Sequence, residues 1–199
     1  MSTSEPARDP GALSSSDPRL RAWRAFLEAH ARLSRRLDDE LRSEHGLSLA
    51  EYDALLQLAE APGRRLRMNQ LADRVILSRS GVTRLIDRLV ADGYVGRAHC
   101  PSDARGAEAV LTDAGFERLR AAARTHLRGI DRHFLSVVAP DDLGVVGRAL
   151  GDVARRACPG GVPPGGVAPG GEGARSPFEL DGSSVETAGG RRGSTTGSA

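Results

Sequence analysis

Two short helical patterns in close succession, followed by a hairpin pattern, constrain the fold of this 199-residue chain most strongly. Asn69 can cap the first helix and Ser78 the second, because both side chains accept hydrogen bonds from a first helical turn. Gly93 stands where the residue after the second helix would take a left-handed conformation. The second helix carries an apolar stripe that would face the core, made of Val82, Leu85, Ile86 and Leu89.

A β-hairpin is predicted directly after these helices. Residues 94–99 have the pattern of a strand, residues 101–106 that of a turn, and residues 107–111 that of a returning strand. Two helices at a tight connection and a following hairpin make a winged helix-turn-helix. We therefore expect a mainly α fold with a small β-hairpin wing, the DNA-binding part covering about residues 62–112.

Long helical patterns flank this module. Asp17 and Pro18 can begin a helix in which apolar residues recur at steps of three and four until Gly46 ends it. Ser48 and Glu51 have the spacing of a capping box. Later patterns predict a long helix after the possible cap Thr112 and a last helix from Pro140. The small module could not cover all their apolar faces, so we expect helices over about 18–45 and 113–157 to form a dimer interface. Gly144, Gly147 and Gly151 share one face of the last helix and could permit close packing there, or reflect composition alone.

The two ends of the chain have a different composition. Residues 1–17 are rich in Ser, Pro and Asp, and residues 159–199 hold 12 Gly and 5 Pro. Such segments bury too little apolar surface to offset the entropy of ordering, so both are predicted to be disordered. One compact domain over residues 18–158 remains. No signal peptide and no membrane span is indicated, and we expect a cytoplasmic protein.

Positive charge is concentrated in the predicted module. Residues 64–106 contain nine Arg and four Asp, an excess of five charges in about a fifth of the chain. The chain contains no Lys, which a GC-rich genome would explain. A clustered positive field is typical of proteins that bind nucleic acid.

The solvent side of the second short helix has the chemistry of a DNA-reading helix. Arg can bond guanine in the major groove, hydroxyls can bond phosphates or base edges, and a helix N-terminus attracts phosphate. We expect Arg79, Ser80 and Thr83 to contact bases. Arg84 and Arg88 would hold phosphates, or pair with Asp87 and Asp92. The predicted reading surface comprises Ser78, Arg79, Ser80, Thr83, Arg84 and Arg88.

The predicted turn over residues 101–106 would be the wing. Arg105 near its tip could enter the narrow minor groove, where the negative potential is strong. Asp103 would have a structural role, bonding turn amides or pairing with Arg105 or Arg97.

These fragments, in this order, resemble the MarR family of regulators over about residues 19–156. The resemblance lies in Leu71-Ala-Asp-Arg, in the segment from Ser78 to Leu89, in Asp92-Gly-Tyr-Val, in the wing, and in Leu111-Thr-Asp-Ala-Gly. It implies a homodimer whose first and last helices interlock, a (pseudo)palindromic operator, and control by a small molecule or an oxidant. The family's wing residues map onto Asp103 and Arg105, while Ala104 stands where a second Arg is frequent.

Residues that could sense an effector have ordinary explanations too. Cys100 at the base of the wing could be oxidised, although an incidental cysteine is the better interpretation. His126 and His133 are seven residues apart, too far for one metal within one helix, so a zinc site would need ligands such as His30 or His45 brought in by the fold. Solvated or hydrogen-bonded histidines are the better interpretation, and neither a metal nor a cofactor is expected. The resemblance implies a phenolic or aromatic effector, for which Trp23, His30 and Tyr52 could line a crevice, or all three could be core residues.

Three functions can be weighed from the sequence. The first is a ligand-responsive repressor that binds double-stranded DNA as a homodimer on a palindromic operator. The alternative is a constitutive or architectural DNA-binding protein without an effector, since no clear ligand constellation is present. An enzyme is disfavoured because we find no phosphate loop, nucleophile elbow or paired carboxylates.

Overall fold

The computed structural model describes residues 17–75, 79–100 and 103–157. The predicted end segments, apart from Asp17, therefore lie outside the described residues, as do Ile76, Leu77, Ser78, Pro101, Ser102 and Cys158. Helices dominate the described chain and a small antiparallel sheet accompanies them, which confirms the predicted fold class. The elements are α1 (Pro18–His45), α2 (Leu49–Glu60), β1 (Arg65–Arg67), α3 (Met68–Arg74), α4 (Arg79–Ala91), β2 (Val95–Cys100), β3 (Asp103–Leu111), α5 (Asp113–Ile130) and α6 (Pro140–Ala157).

Local side-chain chemistry sets most of the predicted helix ends. Ser48 and Glu51 form the expected reciprocal capping box of α2, and the Thr112 hydroxyl accepts a hydrogen bond at the start of α5. Gly46 and Gly93 follow α1 and α4 with φ angles of 62° and 76°. Both glycines stop a helix in a conformation that other residues adopt only at a cost.

The structure corrects two predicted helix boundaries and adds one strand. Asn69 does not cap the first short helix, because α3 already begins at Met68. The Gln70 side chain accepts the Arg67 backbone N–H at 3.1 Å and takes over the capping role. The helix after Thr112 ends at Ile130 and continues as one π-helical turn, Asp131–Leu135. Strand β1 was not predicted, since three residues carry no strand periodicity of their own.

The three strands form a sheet in the order β1-β3-β2. In register, Leu66 of β1 lies opposite Ala109 of β3, and Val95 of β2 lies opposite Leu111. All four side chains are buried. The sheet therefore contributes one apolar face to the core, and β1 attaches the entry of α3 to the hairpin.

The apolar stripe of α4 lies in the centre of the core, as predicted. Val82, Leu85, Ile86 and Leu89 are each 2% exposed or less. They belong to one cluster with buried side chains from α1, α2, α3, α5 and the sheet, among them Leu41, Leu55, Leu58, Leu71, Val95 and Leu119.

The apolar face of α1 has two environments. Leu37 and Leu41 in its C-terminal part are buried, whereas Trp23 is 53% exposed and Phe26 and Leu27 are also exposed. Helix α6 has no buried residue, although it is amphipathic. Within the described ranges, no helix is long and apolar enough to cross a bilayer. Two helices thus carry apolar surface that the other described residues leave exposed.

Glu51 connects the start of α2 to α4. One carboxylate oxygen accepts the Ser48 backbone N–H at 2.9 Å, and the other lies 3.0 Å from Nε of Arg88. Burial disfavours the Glu51 carboxylate, but the Ser48 amide and the Arg88 guanidinium outweigh burial and lower its pKa. The charged form of Glu51 is therefore the one that stabilises the fold.

We expect Glu51→Gln to lower the free energy of unfolding by about 1 kcal/mol at neutral pH, through loss of a charge-assisted contact. The carboxylate contribution is present above the ordinary pKa of 4.5 and is lost as pH falls through the lower folded pKa. Urea unfolding of both proteins should therefore differ near neutrality and converge in acid. Glu117→Gln, in an exposed i,i+3 pair with Arg120, is the matched control. A difference that stays constant with pH would contradict this account.

Gly115 permits the close approach of α5 to the hairpin. A Cβ at this position would lie 2.1 Å from the Tyr94 carbonyl oxygen and 2.8 Å from Cδ1 of Leu111. Because the nearest atom is backbone, we expect Gly115→Ala to destabilise the fold by about 2–3 kcal/mol. Ala114→Ser adds one heavy atom at the exposed neighbouring position and should stay within about 0.5 kcal/mol of wild type in thermal unfolding. Equal stability of the two variants would contradict the packing argument.

Candidate nucleic-acid interface

Helix α4 presents a polar stripe on the side opposite its buried one. Burial of one face leaves positions three and four residues apart in solvent. The side chains of Ser78 and Arg79 lie outside the described residues, so their predicted exposure is not described. The outward stripe consists of Ser80, Thr83, Arg84, Asp87, Arg88 and Ala91.

Arg84 is a cation of this stripe whose guanidinium is available to bind DNA. Its side chain is exposed, and in the described part of the chain no carboxylate contacts its guanidinium. The predicted alternative of pairing with Asp87 or Asp92 is not observed. A guanidinium whose N–H donors are not occupied by a carboxylate can donate them to a phosphate or to the edge of a guanine.

Arg88 makes a contact that the sequence did not indicate. It pairs with Glu51 rather than with Asp87 or Asp92, and the two residues are 37 positions apart. Its side chain remains 58% exposed, so it also lies on the outward stripe. Arg88 thus orients α4 against α2 at the same time as it adds charge to the surface.

Asp87 pairs with the wing strand. Its carboxylate lies 2.5 Å from Nη2 of Arg97 in β2. Because the Asp103 side chain lies outside the described residues, its expected pairing with Arg105 or Arg97, or with turn amides, stays a prediction. Helix α4 and strand β2 are also joined at the backbone, because the Tyr94 N–H donates to the Leu89 carbonyl at 2.9 Å.

The wing is shorter in its turn and more irregular in its strands than predicted. Strand β3 begins at Asp103 rather than Ala107. Its register with β2 changes from His99↔Ala107 to Cys100↔Asp103, so several residues of β3 span one step of β2. Arg105 lies in this bulged stretch, and bulges commonly redirect side chains at functional edges. The side chains of Asp103 and Arg105 lie outside the described residues.

Much of the local positive charge is paired within the fold. Arg64 contacts Asp113 at 3.2 Å and Arg65 approaches Glu108 at 3.8 Å. Arg64 also lies over the Phe116 ring, 4.0 Å from its centroid. Since Glu51, Glu108 and Asp113 lie outside residues 64–106, counting charges along that segment overstates the local excess.

The residues considered for an effector crevice do not share one environment. Tyr52 is buried in the core, with its ring centroid 4.5 Å from that of His126. Trp23 and His30 are exposed on α1, which contradicts the interpretation of all three as core residues. His133 contacts Glu40 at 2.8 Å. Across the residues that the structure describes, no three His, Cys, Asp or Glu side chains cluster in a way that could hold a metal, and the Cys100 side chain is not among those described.

Comparison with known sequences finds regulators of one family. A sequence model of the MarR family matches residues 45–106. The HTH-type transcriptional regulator YkoM of Bacillus subtilis, itself uncharacterised, is 35% identical over 99 residues, covering 50% of this chain and 62% of that protein. The HTH-type transcriptional repressor YetL of the same organism is 30% identical over 111 residues, covering 56% of this chain and 66% of that protein. The chain thus spans slightly less than two thirds of the length of these relatives.

Comparison with solved structures extends the similarity over most of the described chain. Sco3205 of Streptomyces coelicolor, a MarR family regulator solved in complex with DNA, is 34% identical with a TM-score of 0.68, and the match covers 74% of this chain and 95% of that one. AbsC of the same organism is 35% identical, also with a TM-score of 0.68, covering 73% and 98%. The shared sequence and fold therefore show that this chain belongs to the MarR family of transcriptional regulators.

Proposed function

We propose that this protein is a transcriptional repressor that binds double-stranded DNA as a homodimer on a (pseudo)palindromic operator and responds to a small ligand. The single observation that carries DNA binding is the outward stripe of α4, with Arg84 exposed beside the wing strands. A related regulator is solved with DNA, which supports the same activity here. Repression is supported by the name of YetL. The predicted site residues Ser78, Arg79, Ser80, Thr83, Arg84, Arg88 and Arg105 are proposed as the DNA-contacting set, and Asp103 is proposed to complete the site by fixing the wing turn.

We expect Arg84→Ala to weaken DNA binding by about tenfold or more, because each subunit of a dimer would lose one phosphate or guanine contact. The probe is a duplex that the wild-type protein selects from a randomised pool, with affinity measured by fluorescence anisotropy at several salt concentrations. Arg120→Ala removes an exposed Arg from α5 and is the matched control. Equal affinity of Arg84→Ala and the control would contradict the assigned surface. A smaller dependence of affinity on salt in Arg84→Ala would indicate a lost phosphate contact.

Dimerisation is supported by the apolar surface on α1 and α6. Trp23, Phe26 and Leu27 lie exposed on α1, while α6 exposes Leu150 and Val153 and buries nothing. Exposed apolar surface of this extent commonly marks an interface, and a two-fold dimer buries the same surface on both copies. Two reading helices would then reach half-sites about one helical turn of DNA apart.

We expect the double variant Leu150→Asp/Val153→Asp to dissociate the dimer, because it would bury two uncompensated carboxylates in each copy of the interface. Light scattering should then report the mass of a single chain, 21.0 kDa. Ala91→Asp, at the exposed end of α4, is the control and should remain dimeric. A wild-type protein of single-chain mass would contradict the proposed dimer, and unchanged helicity by circular dichroism would exclude unfolding.

Ligand response is supported by a buried polar group that lacks a partner. The Tyr52 hydroxyl is buried and, among the described residues, forms no hydrogen bond; the same holds for Nδ1 of His126. Leaving such atoms unpaired costs free energy, which a bound polar molecule could offset. A panel of phenolic compounds should raise the melting temperature of the wild type if one binds. Lack of any shift, together with DNA binding, would favour a constitutive DNA-binding protein.

A further inference from the structure

Asp87 is a carboxylate in the middle of the surface proposed to meet DNA. It lies one helical turn beyond Thr83 and Arg84 on the outward stripe of α4, and its side chain is 58% exposed. A fixed negative charge at this place would repel the phosphate backbone. The surface therefore requires a compensating charge for Asp87.

Arg97 supplies that charge from the neighbouring strand. It follows Val95 by two residues in β2, and residues two apart share one face of a strand. Because Val95 is 2% exposed and packs in the core, Arg97 lies on the side of β2 that is turned toward the helices. From there Nη2 of Arg97 reaches Oδ1 of Asp87 at 2.5 Å.

The same contact holds the hairpin at a point distant from its start. The backbone bond from Tyr94 to Leu89 fixes the beginning of β2 against α4. Arg97 lies three residues beyond Tyr94 along the chain. Strand β2 ends three residues after that, at Cys100, which is roughly 10 Å from Arg97. The Arg97–Asp87 pair is thus a second attachment between the hairpin that carries Arg105 and the helix that carries Arg84.

We propose that Arg97 is a positioning residue for DNA binding: it neutralises Asp87 within the outward stripe of α4 and holds the wing strands against that helix. The proposal rests on the proposed DNA-binding function, and it assigns Arg97 no contact with DNA. Arg97 therefore acts on DNA binding through Asp87, and loss of Arg97 weakens binding only in a protein that still carries the Asp87 carboxylate.

The test is a double-mutant cycle with Arg97→Gln, Asp87→Asn and the combined variant, using the full chain and the duplex selected by the wild type. We expect Arg97→Gln to weaken binding by about tenfold, because Asp87 is then uncompensated beside phosphates. Asp87→Asn should bind as well as the wild type or more tightly. The combined variant should regain most of the affinity lost in Arg97→Gln, and Arg97→Lys should lose less than Arg97→Gln because it keeps the charge.

A second measurement separates the two proposed effects of Arg97, which are to hold the wing strands against α4 and to neutralise Asp87. Hydroxyl-radical footprints of Arg97→Gln and of the combined variant should both show weaker protection at the outer edges of the site, where the wing would lie. Arg120→Gln removes the same charge from α5 and should change neither affinity nor footprint. Thermal unfolding of each variant identifies any loss of the fold itself.

Three results would overturn the proposal. If the combined variant binds as weakly as Arg97→Gln, Arg97 acts on DNA directly and not through Asp87. If Arg97→Gln binds DNA as well as Arg120→Gln does, the Arg97–Asp87 pair has no role in binding. If Arg84→Ala still weakens binding in that case, the proposed function stands and only this inference fails. If the wild type selects no duplex, the proposed function fails, and this inference fails with it.

Discussion

Burial of one face of α4 is the constraint on which the rest of the structure depends. Val82, Leu85, Ile86 and Leu89 lie in the common core, and burial of each contributes about 2 kcal/mol. Rotating the helix would expose these four side chains and bury Arg84, Asp87 and Arg88. The identity of the outward face is therefore a consequence of apolar burial, and every property of the candidate interface follows from it.

Ion pairs then determine which charged groups of the outward face of α4 remain free to contact a partner. Arg88 of α4 pairs with Glu51 of α2, and Arg97 of β2 pairs with Asp87 of α4, whereas Arg84 contacts no carboxylate among the described residues. Exposed pairs of this kind contribute little to stability, commonly about 0–1 kcal/mol. Their importance is geometric, because they orient α4 against α2 and β2, and electrostatic, because they decide which charges remain for a partner.

The accuracy of the sequence predictions depended on how local the determining interaction was. Ser48, Gly93 and Thr112 act on backbone groups within a few residues, so their capping or turn roles could be predicted. The Asn69 prediction failed because the cap forms two positions earlier, at Arg67, whose backbone N–H donates to the Gln70 side chain, a competition that residue preferences do not resolve. Strand β1 and the Glu51–Arg88 pair depend on residues far apart along the chain, and no local pattern indicates them.

Residue type and helical spacing likewise did not predict whether an aromatic side chain is buried or exposed. Trp23 and Tyr52 are both large aromatic residues at helical spacing, yet one is exposed and the other buried. The pattern identifies an apolar face but not the surface that covers it. For α1 and α6 no other described residue covers this face, and the proposed dimer would cover it with a second copy.

The sequence by itself determined the order of the helices and the hairpin, the apolar and polar sides of α4, and the residue types that could meet DNA. These follow from spacing, caps and side-chain chemistry, which act over a turn or two of backbone. Only the tertiary structure decided that Arg88 contacts Glu51, that Arg97 contacts Asp87, and that Arg84 contacts no carboxylate among the described residues. Pairing between distant residues depends on how the helices and sheet pack, and packing is a property of the whole core.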